Sequence, residues 1–304
     1  MHTANVHYGS TIPRAGAFDR TAREKEAAAL LARYGEHEPL GTLARSHLLL
    51  GILHCTYPTP ALCAAYFENL TRLLAPRKKL SSPGLLLLGL GAGRCGSTSL
   101  TALMATVDGS CCTHENPPFI FWDPQDEQVT FHLKRFTLLR QYFPLVFDAS
   151  HWWLNVMDHL FAVFPDAKAV GLCRNLQPSV RSFMKIKGTG PNSVNHWAAP
   201  DNGIWCPTNW DSAYPTYPVP DYALFDPDRA KADVIRQYVH DYNRVLESLA
   251  ARFPGRVMLV QTEKLGRTAV QQRLFNFIGH AGCSTKVHLN VGTADDGTSL
   301  DYKF

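Results

Sequence analysis

The 304-residue chain has no CxxC pair among its eight cysteines, and its scattered His and Cys residues show no metal-ligand spacing, so neither a dithiol redox motif nor a metal centre is expected. Several cysteines sit within apolar segments, where small buried thiols are common, which points to a reduced rather than a disulfide-bonded protein. Long apolar runs are missing as well. The longest, around Leu48 to Cys55, is too short to span a bilayer, and the polar stretch MHTANVHYGSTIPRAG has neither the apolar core nor the cleavage pattern of a signal peptide. Charge of one sign is scarce: a net +4 suits an anionic small molecule but falls short of the basic stripe of a nucleic-acid binder. The expectation is a cytoplasmic enzyme with no membrane span and no nucleic-acid partner. With 45% hydrophobic residues the chain can bury a substantial core.

What is present centres on Leu85 to Met104, LLLLGLGAGRCGSTSLTALM. An apolar run, a glycine-rich turn and an amphipathic pattern read as strand, phosphate loop and helix. Glycines at 89, 91, 93 and 96 let successive amides point at one anion from the start of the helix. Leu100, Leu103, Met104 and Val107 mark the helix face that packs on a sheet. Against the nucleotide-hydrolase pattern GxxxxGK[ST], Gly91 to Thr98 keeps the glycines and Thr98 but has Ser97 where the lysine belongs. The cation is Arg94, three residues earlier. No apolar run ends in an Asp obviously placed for magnesium, VFD at Val146 to Asp148 being the nearest, and both departures argue against ATP or GTP hydrolysis.

A second anion signal is AVGLCRNLQPSVRSF, Ala169 to Phe183, where an apolar strand is followed at once by Arg174 and, eight residues later, by Ser182. A guanidinium offers a forked, charge-assisted contact and a helical hydroxyl adds a donor. Singly, an Arg after a strand is often a solvated loop residue, and a helical Ser often bonds its own backbone. Two anion sites in order, about eighty residues apart, are harder to obtain by accident.

The run GRCGSTSL resembles the 5′-phosphosulfate loop of the sulfotransferases, commonly [RK]SGTTSL, with Cys95 in place of the usual serine. Arg174 and Ser182 resemble the same family's 3′-phosphate site. The resemblance covers roughly residues 85 to 282 and implies an α/β, three-layer P-loop fold with a mostly parallel central sheet flanked by helices. It implies 3′-phosphoadenosine-5′-phosphosulfate (PAPS) as donor and 3′-phosphoadenosine 5′-phosphate (PAP) as product. Arg94, Cys95, Gly96, Ser97, Thr98 and Ser99 would hold the 5′ end, and Arg174 and Ser182 the 3′-phosphate. The family's cytosolic members add an Arg-Lys-Gly loop near the end; here the tail reads GTADDG, with Lys286 a poor substitute.

Along the rest of the chain, helices are expected at Thr21 to Gly35, Thr42 to Cys55 and Thr59 to Leu74, forming an N-terminal helical extension over 1–80 before a sulfotransferase-like domain over 81–304. Glu115, after a short strand, stands where ligands of doubly wound folds bind, and its distance from the loop resembles that of the catalytic Glu of bacterial and heparan-type sulfotransferases. His114 beside it could orient Glu115 or touch substrate. His151 precedes Arg174 by 23 residues, which resembles the catalytic histidine of the cytosolic class. A continuous helix is expected over Trp153 to Phe164. The long segment Lys187 to Asp226, with Trp197, Trp205 and Trp210, reads as an acceptor-binding lid, or as a surface loop held by its aromatics.

The expected reaction is sulfuryl transfer from PAPS to a hydroxyl or amine of a small-molecule or carbohydrate acceptor. Arg94 would stabilise charge, and Glu115, ahead of His151, would take the acceptor's proton. The rivals are a P-loop kinase of small molecules and a catalytically silent PAP-binding protein.

Overall fold

Five leucines in six residues leave a strand no polar face, and such a strand is stable only between two layers of helix. The computed structural model places it at the centre of a sheet. It describes Leu49, residues 58–118, 120 and 126–186, the segments 197–198, 204–207 and 217–218, and residues 220–280. The expected helix at 21–35, that at 42–55 apart from Leu49, and Trp210, Lys286 and the GTADDG tail lie outside the described residues.

The first described element is α1 (Pro60–Leu74), started as expected by Thr59, whose hydroxyl accepts from Leu62 N–H at 3.3 Å, with Pro60 in its first turn. Then come β1 (Leu85–Leu90), α2 (Ser97–Met104), β2 (Cys111–His114), α3 (Asp126–Leu139) and β3 (Leu145–Ala149). A 3₁₀ turn over His151–Val156 leads into α4 (Met157–Val163), followed by β4 (Lys168–Cys173) and α5 (Leu176–Ile186). The helix expected from Trp153 is therefore tightened in its first turn, where the Trp153 indole reaches back to Asp148. The aromatic segment holds three short strands, β5 (Trp197–Ala198), β6 (Ile204–Pro207) and β7 (Tyr217–Pro218). These pair antiparallel in a small sheet of their own, an order the loop reading did not anticipate. Last are α6 (Pro227–Arg252), capped by Asp226, then β8 (Val257–Gln261) and α7 (Thr268–Ile278).

The main sheet runs β2-β3-β1-β4-β8, and every pairing in it is parallel. Period-two alternation divides its side chains between two cores. Leu86, Leu88 and Leu90 join α1, α3, α4, α5 and α6 on one face; Leu87, Phe147, Val170 and Leu172 join α2 and α7 on the other. This is the expected three-layer α/β architecture. Leu62, Tyr66, Leu70 and Leu74 of α1 belong to the same core as Phe131 of α3. No described helix is long and apolar enough to cross a membrane.

The chain leaves β1 towards β2 and β3 on one side, then crosses to β4 and β8 on the other. Loops after β1 and β4 consequently diverge at the sheet's carboxyl edge, the crevice where open α/β sheets bind ligands.

Candidate active site

The loop after β1 curls tightly. A Cβ built at Gly91 would stand 2.1 Å from Cys95 Sγ, and Gly96, just ahead of α2, has φ +92°. The Cys95 thiol faces inward, where burial pushes its pKa up to about 11, so it packs as a small apolar group rather than as a nucleophile. Thr262, just past β8, donates its hydroxyl to the Cys95 carbonyl at 2.6 Å. The turn is thus fixed from two strands away in the sheet.

Arg94 occupies the left-handed region at φ 49°, which an L-residue enters only where its surroundings hold it. Its Nε donates to Ser182 Oγ of α5 at 3.3 Å, while Arg174, just beyond β4, donates through Nη1 to the Arg94 carbonyl. The two cation sites read separately in the sequence are one cluster. Burial, then the facing Arg174, pulls the Arg94 guanidinium below its usual range. Among the described residues no carboxylate lies within ion-pair distance of either guanidinium. A cleft of about 440 Å³ adjoins Arg174, lined also by Asn175, Asn243, Leu259 and Gln261.

On the other side of β1, His114 Nε2 lies 2.8 Å from Ser97 Oγ in the first turn of α2. Glu115 follows at φ 49°, with its amide on the Ala149 carbonyl at 2.9 Å. Arg94 and Glu115 are the two non-glycine residues with positive φ among the described residues, and both are site candidates. His151 Nδ1 stands 3.8 Å from Glu115 Oε1. Burial lowers the His151 pKa and the Glu115 carboxylate partly offsets this, so the imidazole is neutral at neutral pH. Tyr242 of α6 joins the two sides: its phenol oxygen accepts from Gly91 N–H at 3.2 Å and donates to the His151 carbonyl at 2.7 Å. Burial raises its pKa well above the usual range, so it keeps the proton that this bridge uses.

No protein-family model and no curated protein matches the chain. Solved structures do. A sulfotransferase from Mycobacterium avium is 13% identical with a TM-score of 0.45, over 88% of this chain and 85% of that one. One from Alicyclobacillus acidocaldarius is 14% identical with a TM-score of 0.41, over 73% of this chain and 87% of that one. The sulfotransferase domain of a Synechococcus olefin synthase is 17% identical with a TM-score of 0.40, over 67% of this chain and 77% of that one.

Of the residues singled out in the sequence, Arg94, Cys95, Gly96, Ser97, Thr98, Ser99, Arg174 and Ser182 gather around the β1 loop, its helix and the end of β4. Glu115 and His151 face each other, and His114 turns to Ser97. Trp197 and Trp205 fall on β5 and β6 of the small sheet. Asp148, the nearest thing to a magnesium ligand in the sequence, is turned away. Its carboxylate is fully buried and accepts from Thr113 and Trp153. Sequence reasoning missed Tyr242 and Thr262. A tyrosine in a buried helical stripe must find a partner for its hydroxyl, and Thr262 sits just past a parallel strand, so each carried a signal.

Proposed function

We propose that the protein is a sulfotransferase that takes a sulfuryl group from PAPS and places it on a hydroxyl or amine of a small-molecule or carbohydrate acceptor. The observation that carries this reading is the Arg94–Arg174–Ser182 cluster at the sheet's switch point. Two guanidiniums beside the amino terminus of α2, with no carboxylate within ion-pair distance of either among the described residues and Glu115 acting on Arg94 only from farther away, form a setting that suits a multiply charged anion. The residues present fit the nucleotide: Arg94 and the amides of Gly96, Ser97 and Thr98 would hold its 5′ end, and Arg174 with Ser182 its 3′-phosphate. Bound PAPS would supply the activated sulfuryl group.

The chain's own residues do the rest. Arg94 keeps a fixed positive charge where negative charge gathers as the acceptor attacks. Glu115, one-third exposed and held at a strained φ, takes the acceptor's proton at a carboxylate oxygen. His151, neutral and adjacent, is the next group able to receive it. His114 orients Ser97 rather than the acceptor. The small aromatic-bearing sheet supplies the acceptor's side of the site.

A kinase reading is disfavoured by Ser97 in the lysine position and by the buried Asp148. The test offers the protein radiosulfate-labelled PAPS or labelled ATP with a panel of phenols, alcohols, amines and sugars, with and without EDTA. Label transferred from PAPS and indifferent to EDTA is expected. Transfer from ATP that EDTA abolishes would make the protein a kinase, and PAP binding without transfer to any acceptor would make it a silent binder.

A further inference from the structure

Behind Glu115 and His151 lies a buried charged cluster that the proposed reaction does not use. Asp148 stands within β3, 0% exposed, where an unpaired carboxylate would be strongly destabilising. Three donors surround it. Thr113 of β2 donates its hydroxyl to Oδ1, Trp153 Nε1 donates to Oδ2 at 2.7 Å, and Arg135 Nη2 of α3 stands 3.7 Å from Oδ1. Arg135 is itself buried, and its Nε and Nη1 find no hydrogen-bond partner among the described residues. Such a cluster is poorly explained as a stabilising device, since apolar side chains of similar volume usually serve a core as well or better.

Where the donors are attached supplies another explanation. Thr113 precedes Glu115 by two residues and pairs in register with Asp148; Trp153 follows His151 by two. One carboxylate therefore ties the strand end that carries Glu115 to the turn that carries His151. Glu115 also needs such a tie, because a left-handed glutamate persists only where neighbouring structure over-determines it.

We propose that Asp148, backed by Arg135, is a positioning residue that sets the separation of Glu115 from His151. The inference rests on the sulfuryl-transfer reading only for what that pair does. Neither Asp148 nor Arg135 touches the reacting groups; they act by holding others within the small tolerance that proton transfer allows.

Isotope-edited NMR titration of His151 tests this without any acceptor. Among the described residues the ionisable groups facing His151 include Glu115 and His114, with Tyr242 on its carbonyl. Glu115→Gln removes the charge that opposes burial, so the His151 pKa should fall further. Asp148→Asn should shift it in the same direction, and the double variant no further than Glu115→Gln alone, because the effect runs through Glu115. Additive shifts would mean that Asp148 acts through its own charge, and an unmoved His151 that it positions nothing; either overturns the proposal. Thr113→Val, which removes one donor and no charge, guards against misfolding of the Asp148 variant. It too should lower the His151 pKa, and an unchanged titration in that folded variant refutes the clamp. Calorimetry with PAP on the wild-type protein is a separate arm: no binding would remove the pair's proposed task while leaving the clamp measurable.

Discussion

On the β4 side of β1 lie guanidiniums and a hydroxyl, Arg94, Arg174 and Ser182, which offer N–H and O–H donors; on the β3 side lie a carboxylate and an imidazole, Glu115 and His151, which can accept a proton. The first side is fastened through backbone carbonyls, with Arg174 on Arg94 and Thr262 on Cys95. The second is fastened through the buried side chains of Asp148, Thr113 and Trp153. Holding an anion needs fixed charge and a rigid loop, whereas moving a proton needs a titratable group whose neighbours are set to a fraction of an ångström. On the proposed reading the two tasks are divided across one sheet edge, and Tyr242, bonded to both Gly91 and His151, is the seam.

The division predicts different losses on each side. Glu115→Gln should reduce turnover by about 10²- to 10⁴-fold, the usual contribution of a positioned base, with PAP affinity unchanged by calorimetry. If affinity fell as well, the carboxylate would belong to nucleotide binding and the division would fail. Arg174→Ala should weaken PAP binding by roughly 10²-fold, since each charged hydrogen bond contributes about 1.5–3 kcal/mol. The loss should shrink as salt is raised, and a change in turnover alone would contradict the assignment.

Where the sides meet, Gly91→Ala drives a methyl into Cys95 and should destabilise the fold by about 1–3 kcal/mol in urea denaturation. Adding Cys95→Ala should recover part of that loss; no recovery would mean that the loop is limited by backbone conformation instead.

The smallest effect is on pH dependence. His132, buried and bonded to the Pro118 carbonyl, has its pKa held well below the ordinary imidazole range by burial, and His151 is lowered in the same sense. The unfolded chain then binds protons that the fold does not. Stability should be full above about pH 6.5 and decline as pH falls through the unfolded histidine pKa. His132→Gln should flatten that decline, and an unaltered slope would assign it to other groups.

The strand, tight turn and helix over Leu85 to Met104, and the strand ending before Arg174 with the helix carrying Ser182, were legible in the sequence because each is local, lying within a few residues; that Ser182 bonds Arg94 was not. Apolar runs alternating with helical periodicity marked individual strands and helices, and the three-layer arrangement of the sheet came from the family resemblance. That the two cation sites touch was not legible, because their meeting depends on β1 lying beside β4, a pairing that local pattern does not encode. Tyr242 and Thr262 reach the loop from 151 and 167 residues away along the chain, so only the folded packing reveals them. Asp148 stood in the sequence only as the nearest, weak candidate for magnesium, and its actual partners were hidden for the same reason: Thr113 lies 35 residues away, and Trp153 read only as part of a helix's buried face.

The closeness of Arg94 to Arg174 has a practical side. Like charges gathered at a loop push against the structure that confines them, and a small dianion bound beside them would relieve that pressure. Phosphate or sulfate in solution would act as a stabilising additive, raising the melting temperature with concentration by simple mass action. The buffer in which such a protein is purified and stored is then part of its thermodynamics.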